Sequence, residues 1–399
     1  MYDLIVVGAG PAGLMSALVA SEYGFKVLVL EKNERLGEKM RLSGGGRCNI
    51  SNDLEPEAFL KNLTRGSKFL LSAFSTFDNL TLNDYLEQHG LSLKAEDHNR
   101  LFPVGENANE VVSWFENQLA GNDVEIRTNS DVEKLLVDGA DVKGVSVNGE
   151  EIYAKKVFLA CGSNAYPQTG SNGSGYRLVK PLGHKTTDLM SAVAPLYYAK
   201  KFRPVDLLKG LDLNDVPIKV ISENKTVFEI KHDLLFTHFG LSGPGPMACA
   251  LAINEHEHAR IRLDLSEIYP LDFVVAGRIK INKVLTAVMP QRMAWAVLNL
   301  ANVDESLKIA DMYKEDFEAI ERVMHGFEIP IGGTFSIDKS FVIGGGIALD
   351  EIKPKSFESK KVKNLHILGE TLDLSGFTGG YNIAIAMISG YIAATSLIY

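Results

Sequence analysis

The sequence predicts an α/β protein. A parallel sheet and its flanking helices form a dinucleotide-binding domain from both ends of the chain, and a β-rich insertion separates them. Three observations predict this. The N-terminus reads strand, G-x-G-x-x-G, helix, strand, acid. Apolar strand-like segments return at 156–160 and 363–370, far from that opening unit. Between them the pattern changes to strand-like alternation over 191–262 and then to helical spacing over 271–324.

Leu4 to Val7 is a short apolar run suited to a strand buried on both faces. Gly8, Ala9, Gly10, Pro11, Ala12 and Gly13 follow as the glycine motif. Gly8 permits the tight turn, Gly10 clears space for a pyrophosphate, and Gly13 lets helix and strand approach closely. Leu14 to Tyr23 is the predicted helix, Gly24 its stop, and Lys26 to Leu30 the second strand. The helix start supplies N–H groups and a positive dipole end for a diphosphate. Glu31 lies 23 positions after Gly8, where a carboxylate accepts hydrogen bonds from an adenosine ribose, with Lys32 beside it. An export signal is not expected because no Lys or Arg precedes Lys26, nor a membrane span because glycines and a proline break the run.

Beyond this unit come a Gly-rich loop over 43–52 and a mostly helical stretch over 55–119, interrupted by LFPVG at 101–105. Short strands are expected over 124–128, 131–137 and 142–147, and a buried one at KVFLACG. Strands return around 336–343, and KNLHILGE is the last. The expected domains are 1–190 with 337–399 for the discontinuous nucleotide-binding part, 191–264 with 325–336 for the β-rich insert, and 265–324 for a helical subdomain. The uncharged C-terminal run IAIAMISGYIAATSLIY, 17 residues, fits a helix buried between layers better than a membrane anchor.

A formal net charge of −9 and a lack of basic tracts weigh against RNA, and no nucleic-acid or membrane partner is expected. Cys48, Cys161 and Cys249 form no C-x-x-C pair, which fits a reducing cytoplasm. The nine histidines show no metal-ligand spacing, so no metal is expected.

Two segments choose between nicotinamide and flavin dinucleotides. KVFLACGS resembles the hydrophobic A-T-G strand of the glutathione-reductase-like FAD superfamily, and HILGETLD resembles its closing G-D strand with Glu370 in the acid's place. KMRLSGGGRCNISN, YPQTGSNGSGY, LLFTHFGLSGPG and GETLDLSGFTGGYNIAIA together resemble the HI0933-like flavoproteins, also known as the aminoacetone-oxidase or BaiN-like family. The resemblance spans nearly the whole chain. It implies a two-dinucleotide-binding-type FAD domain, a β-barrel-like insert and a small helical subdomain. The chain departs from the family pattern at Cys161, Ser163 and Ala165 in ACGSNAYP, at Ser174, and at Ile343.

The resemblance implies FAD contacts from Lys39, Ser43, Gly45, Gly46, Arg47, Cys48 and Asn49, from Ala160, Cys161 and Gly162, and from Gly369 and Glu370. Val132 is expected to offer its backbone to the adenine. Arg47 and Lys39 are candidate phosphate partners, and Cys48 reads as a packed, inert thiol. Gly380, Tyr381, Asn382 and Ile383 open the last helix, whose N–H groups would face the flavin edge that gathers negative charge on reduction. Such a terminus contributes about 0.3–1 kcal/mol and would favour the reduced anion. His238, Tyr166 and Tyr381 are candidates for proton handling.

The expected function is an FAD-dependent oxidoreductase acting on a small organic substrate. Hydride transfer at the flavin would serve either amine oxidation with O2 or NAD(P)H-linked C=C reduction. VIGGGIAL lacks the last glycine of a second nucleotide motif, which points to an oxidase or to NAD(P)H as a transient co-substrate. The rival reading is a flavin-binding RNA-modifying or redox-sensing protein without small-molecule turnover.

Overall fold

The computed structural model describes residues 1–199, 202, 204–273 and 277–398. Parts of the expected insert (200, 201 and 203), of the expected helical subdomain (274–276) and the terminal Tyr399 lie outside the described residues. The chain divides into two compact units, residues 1–190 with 337–399 and residues 191–336.

The first unit begins with β1 (Tyr2–Val7), α1 (Pro11–Glu22) and β2 (Val27–Leu30), followed by α2 (Glu38–Leu42) and the short β3 (Ser51–Asn52). After a region of short helices and strands come α3 (Ala108–Gly121) and β4 (Glu125–Arg127). A meander of β5 (Val132–Asp138), β6 (Asp141–Val147) and β7 (Glu150–Leu159) leads to α4 (Ser174–Val179). Sheet order is β4-β2-β1-β7-β6-β5.

β7 serves two sheets in turn. Its first residues, Glu150–Tyr153, pair antiparallel with β6, and from Ala154 it runs parallel to β1, with Val7 opposite Leu159. From sequence this strand is legible only from Lys156. The earlier half alternates buried and exposed residues, as a strand with one wet face does, and so lacks the apolar run that marks the later half.

The second unit is built on a closed six-stranded barrel. Its strands are β8 (Leu196–Tyr198), β9 (Asp212–Ser222), β10 (Lys225–Phe236), β11 (Gly240–Ser242), β12 (Arg260–Leu263) and β13 (Phe327–Thr334), ordered β8-β11-β10-β9-β12-β13. Closure leaves no free edge. Between β12 and β13 lie α5 (Ile281–Val288), α6 (Gln291–Ala301) and α7 (Lys314–His325).

The chain then returns to the first unit, whose sheet it completes with β14 (Leu365–Ile367), parallel to β7. The last helix, α8 (Tyr381–Thr395), is apolar all round because it is buried all round. A Cβ on Gly390 would stand 2.4 Å from the Ala12 carbonyl oxygen, so α8 and α1 pack backbone to backbone. Among the described residues, no helix is long and apolar enough to cross a membrane.

Candidate functional site

The β1–α1 turn shows how three glycines are used differently. Gly8 has φ +102°, and a Cβ there would meet the Ala160 carbonyl oxygen at 2.6 Å. Gly13 would put a Cβ 1.9 Å from the Gly8 carbonyl oxygen. Gly10 is different: a Cβ there would touch nothing within 4 Å. No packing demands a glycine at that position, so the space beside it is a cradle that a side chain would fill. Pro11 opens α1, no side chain caps the helix, and its first N–H groups stay available to an anion.

Glu31 closes β2 and is only 7 % exposed. Its carboxylate accepts from the Ala9 N–H (2.8 Å) and the Asn33 N–H (2.9 Å), which locks the acid to the glycine turn. The Glu31 carbonyl accepts from the Ser130 N–H, and the Asn33 carbonyl from the Asn129 N–H, so the approach to Val132 runs alongside. Lys32 brings a buried ammonium with no hydrogen-bond partner to this corner, beside Gly170. A buried cation without an anion is costly, and a phosphate or a ribose hydroxyl would satisfy it.

The other end of the chain arrives over the same helix. Gly369 donates its N–H to Ser389 Oγ (3.0 Å) and lies above Ala12. Glu370 follows, and its carboxylate takes the Lys39 ammonium at 2.5 Å and Ser163 Oγ at 3.4 Å. The structure thereby brings together Lys39, Glu370, the Ala160–Ser163 loop and the N-terminus of α1. Burial pushes the Cys161 thiol up to about 12, so it is no nucleophile.

Ser43 to Asn49 forms a tight loop after α2, in which Gly44, Gly45, Gly46 and Cys48 all have positive φ. Burial likewise drives Cys48 up to about 12. Arg47 reaches the Glu96 carboxylate at 2.9 Å and lies 4.2 Å from the centre of the Phe102 ring. Asn49, with its amide oriented to satisfy both neighbours, accepts from the Gly380 N–H at 3.1 Å and donates to Ser51 and Leu101. That bond fixes the start of α8 against the glycine loop. Asn382 ties down the preceding turn through Gly376 and Phe377, and Ile383 packs against the core.

The three proton-handling candidates fall in different settings. Tyr381 is 6 % exposed, its ring is edge-on to Phe59 at 4.9 Å, and burial raises its hydroxyl to about 12. Tyr166 is held at φ +54°, a strained conformation for a tyrosine, beside the exposed Phe341. Burial raises its hydroxyl too. His238 belongs to the second unit, edge-on to Phe239. Asn33, Thr371 and Tyr176 are further site residues that the sequence pattern does not single out. Thr371 Oγ1 donates to the Gly162 carbonyl and Tyr176 OH to that of Glu370. Tyr176 ends the YPQTGSNGSGY stretch, but nothing in the linear sequence pairs it with Glu370.

Residues 2–396 match the HI0933-like protein Rossmann domain. The chain belongs to the HI0933-like family. Among its relatives is a ribosomal RNA dihydrouridine synthase of Escherichia coli (strain K12), 27% identical over 100% of this chain and 98% of that protein. Another is a 3-dehydro-bile acid delta(4,6)-reductase of Clostridium scindens, 26% identical over 98% of each. The fold is similar to that of a 3-ketosteroid-delta4-(5alpha)-dehydrogenase from Rhodococcus jostii RHA1. The TM-score is 0.57 at 15% identity, covering 100% of this chain and 97% of that one. This HI0933-like protein is an FAD-dependent oxidoreductase. The cradle at Gly10 and the orphaned Lys32 ammonium fit the diphosphate and adenosine parts of such a dinucleotide.

Proposed function

We propose that this protein uses FAD to reduce a carbon–carbon double bond conjugated to a carbonyl, with NAD(P)H as the electron donor. One observation carries the reading. The two full-length relatives named above have reactions in common at the bond level, although one is named for a bile acid and the other for ribosomal RNA. A dienone and a uracil ring each present a C=C polarised by a carbonyl. Amine oxidation, the other expectation from sequence, has no such support.

FAD, when bound, supplies hydride chemistry. The chain's residues hold and bias it. The start of α1 and Lys32 take the diphosphate and adenosine end, Glu31 the ribose, and Lys39 with Glu370 the linking chain. The start of α8 would offer its N–H groups to the flavin edge that gathers charge on reduction. Hydride delivery to the carbon β to a carbonyl requires a proton at the α carbon. Tyr166 holds its proton at neutral pH as tyrosines do, burial raises its hydroxyl further, and its ring is only half-buried, so it is the proposed donor.

The test is anaerobic. The yellow protein is mixed with NADH or NADPH, and the bleached product is challenged with a conjugated steroid enone, a uridine-rich RNA or an amine-derived imine. Return of colour with an enone or with RNA, and a product heavier by two hydrogens, is the expected result. Bleaching by a primary amine, with no reoxidation by any conjugated alkene, would establish an amine oxidase instead.

A further inference from the structure

The protein carries a net charge of −9, yet one face of its first unit has the opposite sign. Residues 353–363, KPKSFESKKVK, hold five lysines and one acid. Residues 177–185, RLVKPLGHK, add Arg177, Lys180 and Lys185 and no acid. The two segments lie against one another. Lys361 Nζ donates to the Gly183 carbonyl and to the Glu351 carboxylate, the latter at 2.6 Å. His184 Nε2 meets Ser359 Oγ at 2.8 Å, and Glu351 accepts from the Lys185 N–H at 3.0 Å.

All eight cations are exposed. Three acids lie among them in 350–363, namely Asp350, Glu351 and Glu358, and Asp141 bridges to Lys363 from β6, which leaves a local excess of four positive charges. Two of those acids are already engaged, Glu351 by Lys361 and Glu358 by Lys353 at 2.6 Å. Lys180, Lys185, Lys355 and Lys363 make no ion pair among the described residues.

The track starts at the cofactor site. α4 opens with Gly175 against Cys161 and Tyr176 against Glu370, then delivers Arg177 and Lys180. It ends at Lys363, before β14, whose other end leads to Gly369. Those six residues span roughly 20 Å of extended chain. The composition of the track narrows the partner. No large apolar side chain is exposed in either segment among the described residues, which removes the wedge a bilayer-bound face needs. Protein interfaces favour aromatic residues and disfavour lysine. Mobile ammonium groups without apolar anchors suit a flexible chain of phosphates.

We propose that this lysine track binds the phosphate backbone of RNA and steadies a strand while one of its bases reaches the flavin end. The purpose of the track rests on the uracil form of the proposed function, but its existence is tested by binding alone. The probe is a fluorescent single-stranded oligouridylate of about 20 nucleotides, titrated with the FAD-loaded protein at several salt concentrations. The protein is expected to bind with an affinity that falls steeply with salt. The variant K180Q/K185Q/K355Q/K363Q is expected to bind at least tenfold more weakly, with a log–log salt slope shallower by about 3, at about 0.7 for each phosphate no longer neutralised. Its visible flavin spectrum and its rate of bleaching by nicotinamide should match wild type, and the four matching Lys→Arg changes should restore binding. Equal RNA affinity of wild type and the Gln variant overturns the proposal, as does a wild-type affinity that ignores salt. Binding to phosphatidylglycerol vesicles without binding to RNA overturns it in favour of a membrane. RNA binding without uracil reduction would sink the uracil form of the preceding proposal and leave this one standing.

Discussion

Gly10 and Gly13 are three residues apart, and a methyl group at each should fail in a different way. At Gly13 it collides with the Gly8 carbonyl oxygen, so Gly13→Ala should destabilise the fold by several kcal/mol or prevent it. At Gly10 the backbone is extended, with φ −84° and ψ −175°, and the methyl meets open space. Gly10→Ala should therefore leave the stability of the FAD-free protein within about 0.5 kcal/mol of wild type while weakening FAD at least tenfold. Calorimetry of the stripped protein, paired with a flavin titration, separates the two. Lys32 makes a sharper case, because its buried ammonium has no partner within the protein. Lys32→Met should stabilise the FAD-free protein, by about 1–3 kcal/mol, and weaken FAD binding. A variant that loses stability without FAD would show that the ammonium is satisfied in the folded chain. The glycine positions were legible in the sequence because their chemistry lies within six consecutive residues. Lys32 was legible only as a neighbour of Glu31, since its isolation arises from packing against Gly170.

At the level of elements, β14 and α8 carry the second half of the site, and each contains a position that reports on it. His366, in the middle of β14, is 2 % exposed, bonds the Ser356 carbonyl through Nδ1, and leaves Nε2 without a partner. Burial lowers its pKa from 6.5 to about 4. The folded state thus resists a proton that the unfolded chain accepts. Stability from this group is complete above pH 6.5 and declines as pH falls toward 4, by roughly 3 kcal/mol in all. Denaturation at pH 7 and pH 4.5 should show that loss in wild type, and His366→Phe should flatten the part of the slope that belongs to this residue. In α8, Gly390→Val would drive two methyl groups into the Ala12 carbonyl and should cost several kcal/mol, with loss of bound flavin as α1 shifts. The apolar character of α8 was legible, but its crossing partner was not, because nothing in an evenly apolar run says which face meets α1. The first half of β7 escaped for the converse reason: its exposed residues broke the apolar signal that identified the second half.

Across the whole molecule, net charge proved a poor guide to surface. A total of −9 averages over a face with four excess positive charges, and KPKSFESKKVK was present in the sequence as a dense lysine segment throughout. Composition describes the sum, whereas a polyanion responds to charges within about 10 Å of one another. Segregation of the hydrophobic core was far easier to foresee, since the change from apolar strands to alternating ones marks it along the chain. The buried apolar residues form two separate clusters, one drawn from 4–179 and 347–394, the other from 194–329. Every side chain assigned to FAD belongs to the unit built on the first cluster. That unit has its own closed set of sheet partners, because β14 returns to pair with β7 and α8 returns to pack on α1. Replacing residues 191–336 with a flexible Gly/Ser linker should therefore leave a protein that folds cooperatively and is yellow. Removing residues 365–399 instead should leave one that is colourless and aggregates, because the exposed edge of β7 and the apolar face of α1 lose their cover. Bound flavin also stabilises the folded state, by about 2.7 kcal/mol at a hundredfold excess over its dissociation constant. The excised unit should show that rise in melting temperature when FAD is added. If it is soluble and folded yet shows neither colour nor a rise, the barrel unit must contribute directly to the cofactor site, and the assignment of FAD to the first unit alone is wrong.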